Sequence, residues 1–142
     1  MSRKIQVTIL EGRHLNIAKD FHVTDPFVLL KLGYQRQTSH GRRGINPKWN
    51  ESFIFTLNDK TAPILDVQVR SQDRIKLQQS ICIGQDSVNI QPYLDRLPVS
   101  LNLNTDFGYI TIMISEAPEQ IFEGSYNRYS KRVTKQGVPF YW

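Results

Sequence analysis

The sequence predicts an all-β fold, an eight-stranded antiparallel β-sandwich followed by an irregular C-terminal tail. Three observations carry this. Apolar and polar residues alternate with a period of two in several segments. Short apolar runs are separated by Pro, Gly, Asn and Asp, which punctuate strands rather than helices. No stretch has a helical period, and Pro92 limits Asp86 to Leu97 to a single turn.

The elements follow in order. Ile5, Val7 and Ile9 alternate with Gln6 and Thr8. Phe27 to Leu32 is an apolar run between Asp25-Pro26 and Gly33. Phe53, Phe55 and Leu57 alternate with polar neighbours, as do Leu65, Val67 and Val69. Ile81 to Gly84 and Val99 to Leu103 are shorter runs, and Ile110, Ile112 and Ile114 form the last strand, ending near Ser115. Each alternating segment reads as a strand with one face buried and one in water. The boundaries are a sandwich over residues 1–115 and a basic, aromatic tail over residues 116–142.

At 142 residues, 39% of them hydrophobic, the chain is long and apolar enough for one packed domain. No apolar run is long enough to span a membrane as a helix, and the start of the chain has no secretory apolar core. A lone cysteine, Cys82, cannot form an intramolecular disulfide and reads as a small buried hydrophobe within Ile81-Cys82-Ile83. A cytoplasmic protein is expected, at a peripheral membrane or cytoskeletal location. No nucleophile elbow, phosphate-cradling glycine loop or paired-histidine zinc motif occurs, so catalysis is not expected. Nucleic acid is not expected either, because no strand interleaves aromatics with bases as an RNA-reading sheet does.

The net charge of +5 is unevenly spread. Residues 1–50 carry +6 and residues 51–142 carry −1. Leu29 to Asn50 holds five basic residues and no acid. Such a patch is a candidate anion-binding surface.

Asp25-Pro26-Phe27-Val28 and Asn46-Pro47-Lys48-Trp49-Asn50-Glu51-Ser52-Phe53 together resemble two signatures of the C2 domain, the β-sandwich of protein kinase C and synaptotagmin. Ile83-Gly84 and Gly108-Tyr109-Ile110 fall where that family keeps comparable pairs. The resemblance covers residues 4 to about 115. It implies the permuted, type II strand order, in which the strand at Tyr109–Ser115 replaces one that other members carry before the strand at Ile5–Leu10. Both signatures are expected to build the fold: Asn46-Pro47 as a turn in which Asn46 bonds its own backbone, Trp49 as an anchor with its indole N–H near polar groups.

The resemblance also poses the calcium question. Calcium needs six to eight oxygen ligands, and similar calcium-binding members supply about five aspartates from two loops. Here Asp20 and Asp25 stand in the first loop and Asp73 alone in the other, where Ser71 and Ser80 or Ile81 occupy the remaining aspartate positions. Arg70, Arg74 and Lys76 lie nearby. Asp20, Asp25 and Asp73 therefore form a vestigial metal site, and no cofactor is expected.

The basic patch offers a second site. Lys31, Arg36, His40, Arg42, Arg43 and Lys48 fall in or between strands that form a concave, lipid-binding face in similar domains. Alternation puts Arg36, Thr38 and His40 on one side of an extended segment. Anionic phospholipid or phosphoinositide is the ligand that this face implies. The tail offers a third site. Tyr126, Tyr129, Phe140, Tyr141 and Trp142 are aromatic, whereas disordered tails are poor in aromatics. A protein partner is expected there. The sequence thus reads as a calcium-independent interaction or scaffold module, with anionic-lipid adaptor and calcium-dependent lipid binder as alternatives.

The calcium reading has a direct check. Thermal unfolding midpoints in millimolar calcium and in chelator should coincide. A site at a hundredfold its Kd would add about 2.7 kcal/mol, so a rise of several degrees contradicts the vestigial assignment.

Overall fold

The computed structural model describes residues 2–15, 23–73, 80–105 and 108–118. Eight strands follow one another: β1 Ser2–Arg13, β2 Val23–Leu32, β3 Gln35–Thr38, β4 Lys48–Asn58, β5 Ile64–Asp73, β6 Ser80–Asn89, β7 Val99–Thr105 and β8 Gly108–Glu116. A 3₁₀ turn at Gln91–Tyr93, with Pro92 inside it, stands before β7. That is the single turn that Pro92 leaves room for.

The strands form two four-stranded antiparallel sheets, in the orders β4-β1-β8-β7 and β3-β2-β5-β6. The last strand lies beside the first: Val7 faces Ile114 and Ile9 faces Ile112. This is the permuted order. The alternating apolar residues meet between the sheets. Ile5, Val7, Ile9, Ile110, Ile112 and Ile114 from one sheet and Val28, Leu30, Leu32, Leu65 and Val69 from the other are fully buried. A sheet with one wet face buries every second residue, which is why period two was legible.

Among the described residues, three β-bulges interrupt the alternation. The β1 register shifts between Ile9 and Glu11. In β2 it shifts between Thr24 and Phe27, and Asp25 there has φ 46°. An aspartate tolerates that left-handed conformation better than most residues, and proline is admitted to strands at bulges. In β6, Gly84 pairs with Val69 and Cys82 with Arg70, so Ile83 is the extra residue. Ile83 and Gly84 are both buried and Cys82 is exposed. The expectation of a buried Cys82 is therefore wrong: unbroken alternation from Gly84 would have turned it inward, and the bulge turns it out.

Among the described residues, no helix is long and apolar enough to cross a membrane. Ile112 sits at 0% exposure in the central strand pair. Ile112→Ala should destabilise the domain by about 2–5 kcal/mol, read from the urea midpoint. A loss under about 1 kcal/mol would mean that this layer is not the core.

Candidate functional site

The two signature segments meet at one carbonyl. The Trp49 indole N–H donates to the Pro26 carbonyl oxygen at 3.1 Å, and the Arg42 backbone N–H donates to the same oxygen at 3.0 Å. Trp49 is 3% exposed, so its ring is core and its single polar atom is satisfied. Around this junction Gly12 N–H donates to Pro47 O and Leu15 N–H to Ile45 O, both at 2.9 Å. Asn46 does not bond its own backbone as expected. Its Oδ1 accepts from His14 N–H at 2.9 Å, because the end of β1 lies close enough to offer an unpaired donor.

The six predicted basic residues do not form one patch. Lys31 and Arg36 sit opposite each other on β2 and β3, both exposed on the outer face of the β3-β2-β5-β6 sheet. His40, Arg42 and Arg43 lie in the β3–β4 connection. Strand β3 ends at Thr38, and beyond it Ser39 is buried and His40 exposed, with Ser39 N–H donating to Val28 O at 2.9 Å. Lys48 lies at the start of β4, in the other sheet.

Acidic partners come from elsewhere in the chain. His40 Nδ1 lies 3.0 Å from Glu51 Oε1, and the His40 backbone N–H donates to both Glu51 oxygens, at 3.0 and 3.3 Å. Arg42 Nη2 is 4.0 Å from Glu51 Oε2, and Arg43 Nε is 3.7 Å from Asp25 Oδ1. Lys48 faces Glu11 across the β1–β4 register. The Glu11 carboxyl is held below its ordinary value, first by its hydrogen bond from Arg13 and then by the charges of Arg13 and Lys48. Lys31 faces Asp66 across β2 and β5. A stretch without a single acid is thus flanked by acids in three dimensions. Glu51 and Glu11 belong to strand patterns that gave no sign of this pairing.

The outer face carrying Lys31 is ordered in transverse rows. One row crosses all four strands as Arg36, Lys31, Asp66 and Ser87. The Ser87 hydroxyl donates to Asp66 Oδ1. The next row is uncharged: Thr38, Leu29, Gln68 and Gln85. Arg70 stands beyond it, bound to Gln68 Oε1 at 2.9 Å and to Ser80. A concavity of about 210 Å³ opens over the β2, β5 and β6 part of this face, with Lys31, Asp66 and Asp86 among its lining.

The outer face of the other sheet differs. Gln6, Thr8, Ser52, Ile54, Thr111 and Met113 line its middle and none is charged. Thr8 and Ser52 hydroxyls bond at 2.8 Å, and Thr111 donates to Asn102 Oδ1 at 2.8 Å. Ile54 is exposed there.

Of the predicted metal ligands, Asp25 alone has a described side chain, and it faces Arg43. Asp20 and the side chain of Asp73 lie outside the described residues, as do the tail aromatics Tyr126, Tyr129, Phe140, Tyr141 and Trp142. Among the described residues, no three His, Cys, Asp or Glu side chains are grouped as a metal centre.

Known proteins match this architecture. The C2 domain model matches residues 3–104, and the chain belongs to the C2 domain family. Protein C2-DOMAIN ABA-RELATED 11 of Arabidopsis thaliana is 36% identical over 91 residues, which is 63% of this chain and 52% of that protein. Protein C2-DOMAIN ABA-RELATED 3 of the same plant is 28% identical over 126 residues, covering 88% of this chain and 73% of that protein. Multiple C2 and transmembrane domain-containing protein 1 of Mus musculus is 25% identical over 112 residues, 78% of this chain and 12% of that protein. The chain thus spans about half of the first relative and a small part of the last. Among solved structures, a C2 domain of plant Extended Synaptotagmin 1 superposes with a TM-score of 0.65 at 17% identity, over 82% of this chain and 97% of that one. A calcium-bound pair of C2 domains from Extended-Synaptotagmin 2 gives 0.67 at 14% identity, over 80% of this chain and 45% of that one. At such identities the likeness is one of fold.

The junction has a clean test. Trp49→Phe keeps most of the buried ring and removes the donor to Pro26. It should cost about 1–3 kcal/mol, since the Pro26 oxygen keeps only the Arg42 bond. An unchanged midpoint would show that the indole bond contributes nothing.

Proposed function

We propose that this chain is a non-catalytic, calcium-independent binding module that serves as a protein-interaction or scaffold subunit, through a sheet face and its C-terminal segment. The observation that carries this reading is the placement of acids beside the predicted basic residues. Glu51 beside Arg42 and Asp25 beside Arg43 lower the positive field of the β3–β4 connection, and Glu11 and Asp66 stand opposite Lys48 and Lys31 in register. The uncharged face around Thr8, Ile54 and Met113 suits a protein surface better than a lipid head-group layer. It lacks the aligned cations that leaflet attachment needs, each worth about 1 kcal/mol.

A second reading is a peripheral adaptor for anionic phospholipid. It is supported by Lys31 and Arg36, which stand side by side with no ion-pair partner within 4.0 Å among the described residues. The third, a calcium-dependent lipid binder, keeps Asp25 as a carboxylate but has weaker support, because Asp25 faces Arg43.

Vesicle co-sedimentation separates the three. The full chain is spun with neutral and with phosphatidylserine-containing vesicles, each with calcium and with chelator. The interaction-module reading expects little protein in any pellet. Pelleting with anionic vesicles in chelator, lost in Lys31→Glu/Arg36→Glu, would establish the second reading. Pelleting with calcium alone would establish the third. Deletion after Pro118 should leave the midpoint unchanged and remove the main bound partner from a pull-down. Unfolding on that deletion would contradict a partner-directed tail.

A further inference from the structure

We propose that the free edge of strand β4, from Ser52 to Ile54, is a strand-pairing site for a second copy of this chain, joined antiparallel about a two-fold axis at Phe53. The inference does not rest on the reading above, which concerns a sheet face and the C-terminal segment. It comes from which backbone groups of the β4 edge are already taken.

Strand β4 is the outermost strand of its sheet and pairs only with β1. Its C-terminal part is capped. Gln35, on β3 of the other sheet, donates its side-chain amide to Thr56 O and accepts the Thr56 N–H, both at 2.8 Å. A side-chain amide thus stands where a neighbouring strand would. Both Thr56 backbone groups therefore point away from β1. In an antiparallel pair that direction recurs at every second residue. The β1–β4 register is unbroken from Glu51 to Asn58. The N–H and C=O of Ser52 and Ile54 consequently point outward too, and among the described residues nothing bonds them on that side. At the other end Asn50 has φ 51°, outside the extended region. The free stretch is bounded by Asn50 and Thr56, which stand equally far from Phe53.

That symmetry selects the occupant. An unpaired edge is a template for another strand, and a two-fold contact needs a patch complementary to itself. With Phe53 on the axis, Ser52 pairs with Ile54 of the partner subunit and Ile54 with Ser52 of the partner subunit, each pair exchanging both N–H···O bonds. The next pair on either side would join Asn50 to Thr56, which Gln35 already holds, so the match ends where the free groups end. Phe53 packs against the core but is only half-buried at the edge. In this register it faces its own copy at the non-hydrogen-bonded position, where side chains approach most closely, and such aromatic pairs are favourable. An unrelated strand would have to bring an apolar residue to that place; the second copy brings one by symmetry. Charge permits the match as well. A charge near a two-fold axis meets its own image, but Ser52 and exposed Ile54 at the seam, with Thr8 and Gln6 opposite them on β1, are uncharged.

Sedimentation equilibrium of the full chain tests this. The parent should show a reversible monomer–dimer equilibrium at concentrations up to about 1 mM. Ile54→Pro removes an outward N–H that β1 does not use, a position at which an edge strand admits proline. It should weaken the dimer at least about tenfold. Met113→Lys, on β8 in the middle of the same face, should leave the dimer unchanged, because edge pairing does not cover it. Amide hydrogen exchange of the parent needs no variant, and it decides the matter if Ile54→Pro lowers the thermal midpoint. Ser52 and Ile54 should exchange quickly in dilute solution and slow as concentration rises, whereas Thr56, bound to Gln35, should not change. Three results would overturn the proposal. The first is a monomer alone at every concentration up to about 1 mM. The second is a dimer lost in Met113→Lys and kept in Ile54→Pro, which is face-to-face stacking. The third is a dimer whose Ser52 and Ile54 amides stay fast, which puts the contact elsewhere, the C-terminal segment included.

Discussion

One buried carbonyl, that of Pro26, organises the loop end of the sandwich. It accepts the Trp49 indole N–H and the Arg42 backbone N–H, so it ties β4 in one sheet to β2 in the other and holds the β3–β4 connection between them. The bulge at Asp25-Pro26 is what turns that oxygen away from the β2–β5 ladder. The neighbouring residues are shaped to the same junction. A Cβ on Gly12 would come within 3.2 Å of the Trp49 ring, and one on Gly41 within 2.7 Å of the Asp25 carbonyl oxygen. Two signatures well separated along the chain are thus halves of one hydrogen-bonded joint, which supports the expectation that they serve the fold.

The joint also sets the electrostatics. By drawing the β3–β4 connection back against β2 and β4, it delivers His40 and Arg42 to Glu51 and Arg43 to Asp25. These pairs are exposed, and exposed pairs contribute little stability. Their consequence is the field they cancel. Arg42 and Arg43 thus stand beside carboxylates, and Lys31 stands opposite Asp66 on the sheet face.

Much of the fold was legible because a half-buried strand advertises itself. Ile110, Ile112 and Ile114 alternate, and all three are at 0% exposure. What escaped did so where a local pattern was broken by one residue or completed by a distant one. The bulge at Ile83 reverses the facing of Cys82, and nothing in Ile81-Cys82-Ile83 marks it. Asn46 found His14 because β1 ends beside it, a fact of tertiary structure. The basic window from Leu29 to Asn50 was read along the chain, while Glu11 and Asp66 arrive across strand pairs and Glu51 reaches the β3–β4 connection from β4. Register carries that information, and a single sequence does not display it.

Charge release at Glu51 tests this account most directly. Glu51→Gln is isosteric and still offers an oxygen to the His40 backbone N–H, but it removes the countercharge of Arg42. The measurement is the partition of parent and variant onto phosphatidylserine vesicles at physiological ionic strength, where fields reach about 8 Å. The account predicts that the variant binds more than the parent and loses the gain in high salt. Equal partition of the two, with the parent already bound, would show that the pairing with Glu51 does not silence the basic loop.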